Sequence, residues 1–275
     1  MRYTFQAIKY VLRNILYLLP LVAIPAFCLA LSTDQEAIVC SMETLQSGIP
    51  SDFHFKHIFG SMSILSFTSV ESIIFGLLGI ISLVFFVSLI MAMIEKHMRI
   101  GKRTFNGVFS KLNDNLLPTL GYLLLLLAIY EIWALLVSTF LFLASNIPHV
   151  IVAYIVMAIV FLSAHLLLLY TISLIYLWLP CMQITGFKSM EALYYSNRLS
   201  ASVKWKISFN QLLSFVAVEV IMVLCVILTP SETVFFLLTT ASYAFVIMIY
   251  CVRMEIMYFE LDNIGRADVT KYYQR

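Results

Sequence analysis

Residues 150–179 read VIVAYIVMAIVFLSAHLLLLYTISLIYLWL, without one Asp, Glu, Lys or Arg. A helix rises 1.5 Å per residue and needs about 20 such residues to cross roughly 30 Å of hydrocarbon, where only internal hydrogen bonding satisfies the backbone. The stretch therefore reads as a membrane span long enough to tilt or to project beyond the bilayer. Working outward from it, five further apolar runs cover 15–32, 71–94, 116–143, 209–229 and 234–252. Together they predict an all-α polytopic membrane protein with six transmembrane helices.

Composition agrees. The chain of 275 residues is 62% hydrophobic and 12% charged, about half the charge usual for soluble proteins. Its 17 basic and 15 acidic residues are too few to cover a soluble surface. A net charge of +2 with no Lys/Arg tract speaks against a nucleic-acid partner. None of Cys28, Cys40, Cys181, Cys225 and Cys251 sits in a CxxC spacing, so they read as small buried hydrophobes with no structural disulfide.

The connections sort by charge. Placing the N-terminus, 95–115, 180–208 and the C-terminus on one side gathers 16 of the 17 basic residues there. Lys56 is left opposite, beside Asp34, Glu36, Glu43 and Asp52. The positive-inside rule then puts both termini in the cytoplasm. Trp178 and Trp205 fall where an interfacial belt is expected. The basic residues before span one and the small residues Ala26, Cys28 and Ala30 echo a signal peptide, but the long patterned n-region favours an uncleaved span.

The basic segments are patterned. In 103–115 the apolar Phe105, Val108, Phe109 and Leu112, continued by Leu116, oppose Arg103, Ser110, Lys111 and Asp114, the mark of an interfacial amphipathic helix. Residues 2–14 repeat this with Phe5, Ile8 and Leu12 against Arg2, Gln6, Tyr10 and Arg13. Residues 188–204 do so through Ala192, Tyr195, Leu199 and Val203. Each precedes an outward span and a returning one, so the single transmembrane domain reads as three repeats of interfacial helix plus helical hairpin. Lys102, Arg103, Lys111, Arg198, Lys204 and Lys206 are then candidates for lipid head-group contact, at about 1 kcal/mol each.

Within the third basic segment, Leu179-Pro180, Gly186, Ser189, Glu191-Ala192-Leu193, Ser196, Leu199, Trp205 and Ile207 resemble the signature of the glycerophosphoryl diester phosphodiesterase membrane-domain family. Its free-standing relatives include YciC-like six-helix inner-membrane proteins. Ser200-Ala201-Ser202 stands where that signature usually has Thr-x-Gly. The resemblance implies a membrane part without the catalytic domain, and carries over no catalytic residue.

Glu131, His165 and Glu219 fall near the middle of the third, fourth and fifth runs. A charge at that depth costs about 2.5–3.5 kcal/mol, so these groups should face the bundle interior, pair or stay neutral. Glu131 and Glu219 occupy equivalent repeats and could meet at one depth. They serve either as packing hydrogen bonds, as a proton-carrying site with His165, or as a polar cavity for lipid head groups.

No GxSG, HExxH, P-loop or acidic-plus-histidine phosphatase pattern occurs, so neither catalytic residues nor a cofactor are expected. Asp52, His54, His57 and His149 lack a further ligand at metal spacing and read as solvated loop residues. Pro20, Pro25 and Pro118 read as kinks or first-turn residues. Gly76 and Gly79, three apart, do not form a GxxxG face. The expected function is non-enzymatic handling or organisation of membrane lipids. The alternative is the permease subunit of an exporter, either proton-coupled or partnered by a separate ATPase or envelope protein.

Overall fold

The computed structural model describes residues 2–47, 54–67, 69–228 and 232–269, which contain helices and no strand. In order these are α1 (Arg2–Arg13), α2 (Ile15–Ser32), α3 (Gln35–Ser47), α4 (Phe55–Met62), α5 (Val70–Ile100), α6 (Val108–Ser145), α7 (Val150–Ile175), α8 (Trp178–Thr185), α9 (Ser189–Ser200), α10 (Lys204–Leu228) and α11 (Glu232–Leu261). Among the described residues five stretches are long and apolar enough to cross a membrane: Ile15–Ser32, Val70–Ile100, Val108–Ser145, Val150–Thr185 and Thr233–Leu261. The chain is thus a multi-pass helical membrane protein. The run at 209–229 lies on α10 and is not among the five. Its last residue, Thr229, and the side chains of 225–228, including that of Cys225, fall outside the described residues.

Local chemistry sets several helix boundaries. Pro180 has no N–H to give the carbonyl of Tyr176, and its ring crowds that carbonyl. The thirty-residue apolar run accordingly breaks in a turn at Tyr176 and Leu177, and α8 carries on beyond it. At Asn14 the side chain donates to the Tyr10 carbonyl (2.7 Å), separating α1 from α2. Gly101 (φ 66°) and Gly107 (φ 74°) hold the left-handed conformation that glycine takes without a Cβ clash, and the non-helical link between α5 and α6 runs from one to the other.

Three expectations are corrected. Residues 103–115 are not a separate interfacial helix: 103–107 are non-helical, and from Val108 a single helix runs through Pro118 to Ser145. Trp178 is buried rather than interfacial, because its indole N–H reaches the Ser189 carbonyl (2.8 Å) and its ring meets Tyr122 edge-on. The outer segment is no plain loop. There α3 and α4 pack together, and Ile58 of α4 is buried with Trp133, Ala134 and Val137 of α6. The helical spacing of Phe55, Ile58, Phe59 and Met62 accounts for this.

On α1 the buried face is Thr4, Ala7, Tyr10 and Val11, while Phe5, Ile8 and Leu12 point outward. Tyr10, expected on the polar outer face, is therefore inside, and its hydroxyl lies 2.6 Å from Nδ1 of His97. Burial pushes that hydroxyl far above its ordinary range, so it donates and the imidazole accepts. A stripe of Ile151, Ile155, Ile159, Leu162 and Leu166 along α7 is exposed, as a lipid-facing flank requires.

The core lies at the basic end of the bundle. Three returning helices contribute nearly continuous buried stretches there: 87–95 with 97 and 98 of α5, 175–182 across the α7–α8 turn, and 251–259 of α11. In the outer half, α2 and α5 approach closely at Gly79, where an added Cβ would lie 2.9 Å from Leu29 Cδ2 and 3.1 Å from its Cγ. Small residues permit such approach in membranes, where packing rather than hydrophobic exclusion drives helix association. Gly79→Val should lower the thermal unfolding midpoint in detergent, by an overpacking cost of about 1–3 kcal/mol. Gly121→Ala, where nothing lies within 4 Å, should not lower it and should raise it through a gain of up to about 1 kcal/mol in helix propensity.

Candidate functional site

Glu131, His165 and Glu219 do not form one cluster of mutual bonds. The Glu131 carboxylate accepts from the Ser63 hydroxyl (2.7 Å) and from the backbone N–H groups of Ile64 (3.1 Å) and Leu65 (3.3 Å). Glu131 stands about 20 Å along α6 from its outer end at Ser145. Residues 63–65 thus fold deep beside α6, and their exposed backbone is satisfied by a side chain where lipid offers no donor or acceptor. Ser32 adds a second tie, its hydroxyl donating to the Ile64 carbonyl (3.4 Å).

His165 and Glu219 do meet. Nδ1 of His165 lies 2.8 Å from the Phe161 carbonyl, which can only accept, so Nδ1 carries a proton. Nε2 is 3.0 Å from Oε1 of Glu219. One further proton must lie between these two atoms, giving either an imidazolium–carboxylate pair or a carboxylic acid donating to the ring. Trp133 (4.7 Å), Phe161 (4.0 Å) and Phe215 (5.5 Å) enclose the imidazole, measured between ring centroids. Tyr130 lies within electrostatic reach of both Glu131 and Glu219. The two acids therefore share a neighbourhood but hold different partners, because Glu131 is turned toward the outer segment.

The basic candidates also divide. Lys102, Arg103, Arg198 and Lys206 are exposed, and Lys204 is half-buried. Arg103 donates to the Arg13 carbonyl (3.3 Å), joining the 101–107 link to the end of α1. Lys111 is less free for head groups than its sequence position suggests. It pairs with buried Glu95 at 2.9 Å, as does Arg99, also at 2.9 Å.

Sequence reasoning missed Arg253, Glu255 and Glu95. Arg253 was counted among the basic residues beyond the last span, yet it is 2% exposed. It donates to the Tyr176 hydroxyl (2.9 Å), the Asn210 carbonyl (2.8 Å), Ser214 Oγ (2.8 Å) and Thr4 Oγ1 (3.4 Å). None of these partners is an anion. Two residues on, Glu255 is fully buried and neither carboxyl oxygen has a hydrogen-bond partner. Glu95, Arg99 and Lys111 lie within its electrostatic reach. The available signal was the apolar pattern resuming past Arg253 as Met254, Ile256, Met257, Tyr258 and Phe259, which shows that the helix stays buried.

A cleft of about 500 Å³ opens at this end, lined by Arg2, Tyr3, Trp205, Lys206, Phe209 and Asn210. His54 and His57 have ring centroids 6.1 Å apart, and Asp52 falls outside the described residues. Among those described, no three His, Cys, Asp or Glu side chains gather as a metal site would need. Cys28 and Cys40 are half-buried, and Cys181 and Cys251 buried.

Two outcomes test these assignments. Glu131→Ala should unfasten residues 63–67, with faster hydrogen exchange there and a loss of about 2–4 kcal/mol, since it strands a hydroxyl and two backbone donors. Glu131→Gln should lose less, because its amide oxygen can still accept. Glu255→Met should leave the unfolding midpoint unchanged or raise it, as an apolar side chain of similar size removes the desolvation cost of a buried carboxyl that has no hydrogen-bond partner.

No protein-family model matches the chain, no curated protein matches it, and no solved structure matches its fold.

Proposed function

We propose that the chain is a non-enzymatic, six-span bacterial plasma-membrane protein with both termini in the cytoplasm, and that it organises or handles membrane lipids through a cytoplasmic collar. The carrying observation is the composition of the exposed surface at the basic end. Phe5, Phe105, Phe109, Met190, Tyr194 and Trp205 are all exposed there, alongside exposed Lys102, Arg103, Arg198 and Lys206. Aromatic and basic side chains presented together suit the head-group layer, where rings sit at the interface and cations meet lipid phosphates.

Two features support six spans in three repeats. α10 is a continuous helix packed along α7, which suits a further span. Each of the three returning helices also ends in a buried stretch at the same end. The separate α1 and α9 fit the first and third interfacial helices, and the second is fused to the start of α6. The resemblance of 179–207 to the glycerophosphoryl diester phosphodiesterase membrane-domain family belongs with this reading.

A second reading, the permease subunit of a proton-coupled exporter or of one served by a separate ATPase, is favoured by the His165–Glu219 contact. A proton held between a ring nitrogen and a carboxylate at mid-span is a possible coupling site.

The two readings separate in one experiment. The protein is extracted in mild detergent, and whatever accompanies it is identified by mass spectrometry. Retained glycerophospholipid is expected, with anionic species enriched. Lys102→Ala combined with Arg103→Ala should reduce that enrichment about tenfold or more, at roughly 1 kcal/mol per charge. A protein stripped of phospholipid but carrying an ATPase would move the assignment to the exporter. So would proton flux in liposomes that Glu219→Gln abolishes.

A further inference from the structure

We propose that the cleft between α1 and α10 is a binding site for the phosphate of an anionic glycerophospholipid. This rests on the lipid reading above and names the site and its ligand class. The argument starts from Arg253. A guanidinium cannot lose its proton in a protein, and a buried charge is normally matched by an opposite one. Here every hydrogen-bond partner of Arg253 is neutral. The four dipoles hold the group in place and leave its positive charge uncompensated.

That charge lies directly behind the cleft wall. Asn210 lines the cleft, and its backbone carbonyl accepts from Arg253. Its side chain accepts from Thr4, itself an Arg253 partner, and donates to the Lys206 carbonyl (2.6 Å). Lys206, on the rim, makes no ion pair among the described residues. Arg2, on the opposite rim, shares its charge with Glu260 at 3.3 Å. Two exposed cations thus flank one opening and a third lies buried behind its wall, with a single carboxylate paired among them.

The rest of the lining suits an amphiphile. Tyr3, Trp205 and Phe209 supply aromatic surface beside the cations. Trp205 is 74% exposed and braced by Tyr170, whose ring centroid lies 5.5 Å away. A phosphate placed between Lys206 and Arg2 would leave glycerol and acyl carbons over these rings. Both cations are long and mobile enough to reach it, and Asn210 stands at the floor.

The test uses the full chain in maltoside detergent, titrated with dihexanoyl phosphatidic acid, dihexanoyl phosphatidylcholine and inorganic phosphate. Trp205 emission reports binding, with Trp205→Phe as the blank. Saturable binding of the phosphatidic acid is expected, about tenfold tighter than the phosphatidylcholine. Lys206→Ala combined with Arg2→Ala should weaken it about tenfold without moving the unfolding midpoint, since both side chains are exposed. Arg253→Gln should weaken it too wherever that variant folds, and the rim pair decides the matter if it does not. Equal affinity for both lipids, or a rim pair that binds as wild type, overturns the proposal. Inorganic phosphate binding as tightly as the lipid overturns the head-group assignment in favour of a free-phosphate site. If the Lys102 and Arg103 variants still lower lipid retention while the rim pair is inert, this inference fails alone. If both sets are inert, the lipid reading fails with it.

Discussion

The last turns of α11 are buried on every side, and the arrangement of the basic end depends on how the charges there are accommodated. Residues 251–259 touch solvent almost nowhere, yet they include Arg253 and Glu255. At 100° per residue the two project about 200° apart, so they cannot neutralise one another and each must find terms with a different set of neighbours. Arg253 draws in α1 through Thr4, the α7–α8 turn through Tyr176, and α10 through Asn210 and Ser214. Tyr176 is itself fixed by its hydroxyl on the Tyr250 carbonyl and by edge-on contact with the Tyr250 ring. One guanidinium therefore joins four segments distant in sequence. In a bilayer, apolar contact between helices gains little over contact with lipid, so polar ties and close approach set the geometry. The glycine contact of α2 with α5 and the Arg253 hub are the two forms this takes here.

The coarse fold was legible because hydrocarbon imposes a simple rule on sequence. Long uncharged runs had to be helices, and the run at 150–179 alone excluded a soluble protein. The same rule misplaced the ends. A charged residue looks like the boundary of a span, so the last run was closed at Val252 and the second at Ile94. Both helices continue: the buried stretch of α5 begins at Val87 and runs on past Ile94 to Met98, and that of α11 lies mostly past Val252. What escapes the rule is that a charge can be internal when dipoles from other segments replace its water. Those dipoles come from residues such as Thr4 and Tyr176, whose role is invisible until the chain is folded.

The sequence marks Glu131, His165 and Glu219 as polar groups within apolar runs, but not their partners. His165 on α7 and Glu219 on α10 share a hydrogen bond. Glu131 instead serves the backbone of 63–65. Without that carboxylate, the non-helical turn between α4 and α5 would carry unsatisfied donors beside lipid-depth helices. The signal was in the outer segment rather than in α6. Helical apolar spacing from Phe55 to Met62 meant a packed element, and a packed element ending in Ser63 required an acceptor nearby.

Four acidic groups at the basic end find cationic or hydroxyl partners within the fold. Glu95 is held by Arg99 and Lys111, Glu260 by Arg2, and Asp268 by Arg266. Asp262 is engaged by the hydroxyls of Tyr195 (2.5 Å) and Tyr258 (3.0 Å), and this contact raises the Tyr195 hydroxyl above its usual range. The acidic groups named here are thus already committed within the fold. Arg253, Lys206, Lys102 and Arg198 have no carboxylate within ion-pair distance among the described residues. A soluble protein would leave such an excess to counterions. The same surface carries exposed aromatic rings that water does not favour, and on the lipid reading proposed above a layer of anionic head groups over acyl chains would meet both needs, as hydrocarbon meets the packing of the apolar flanks.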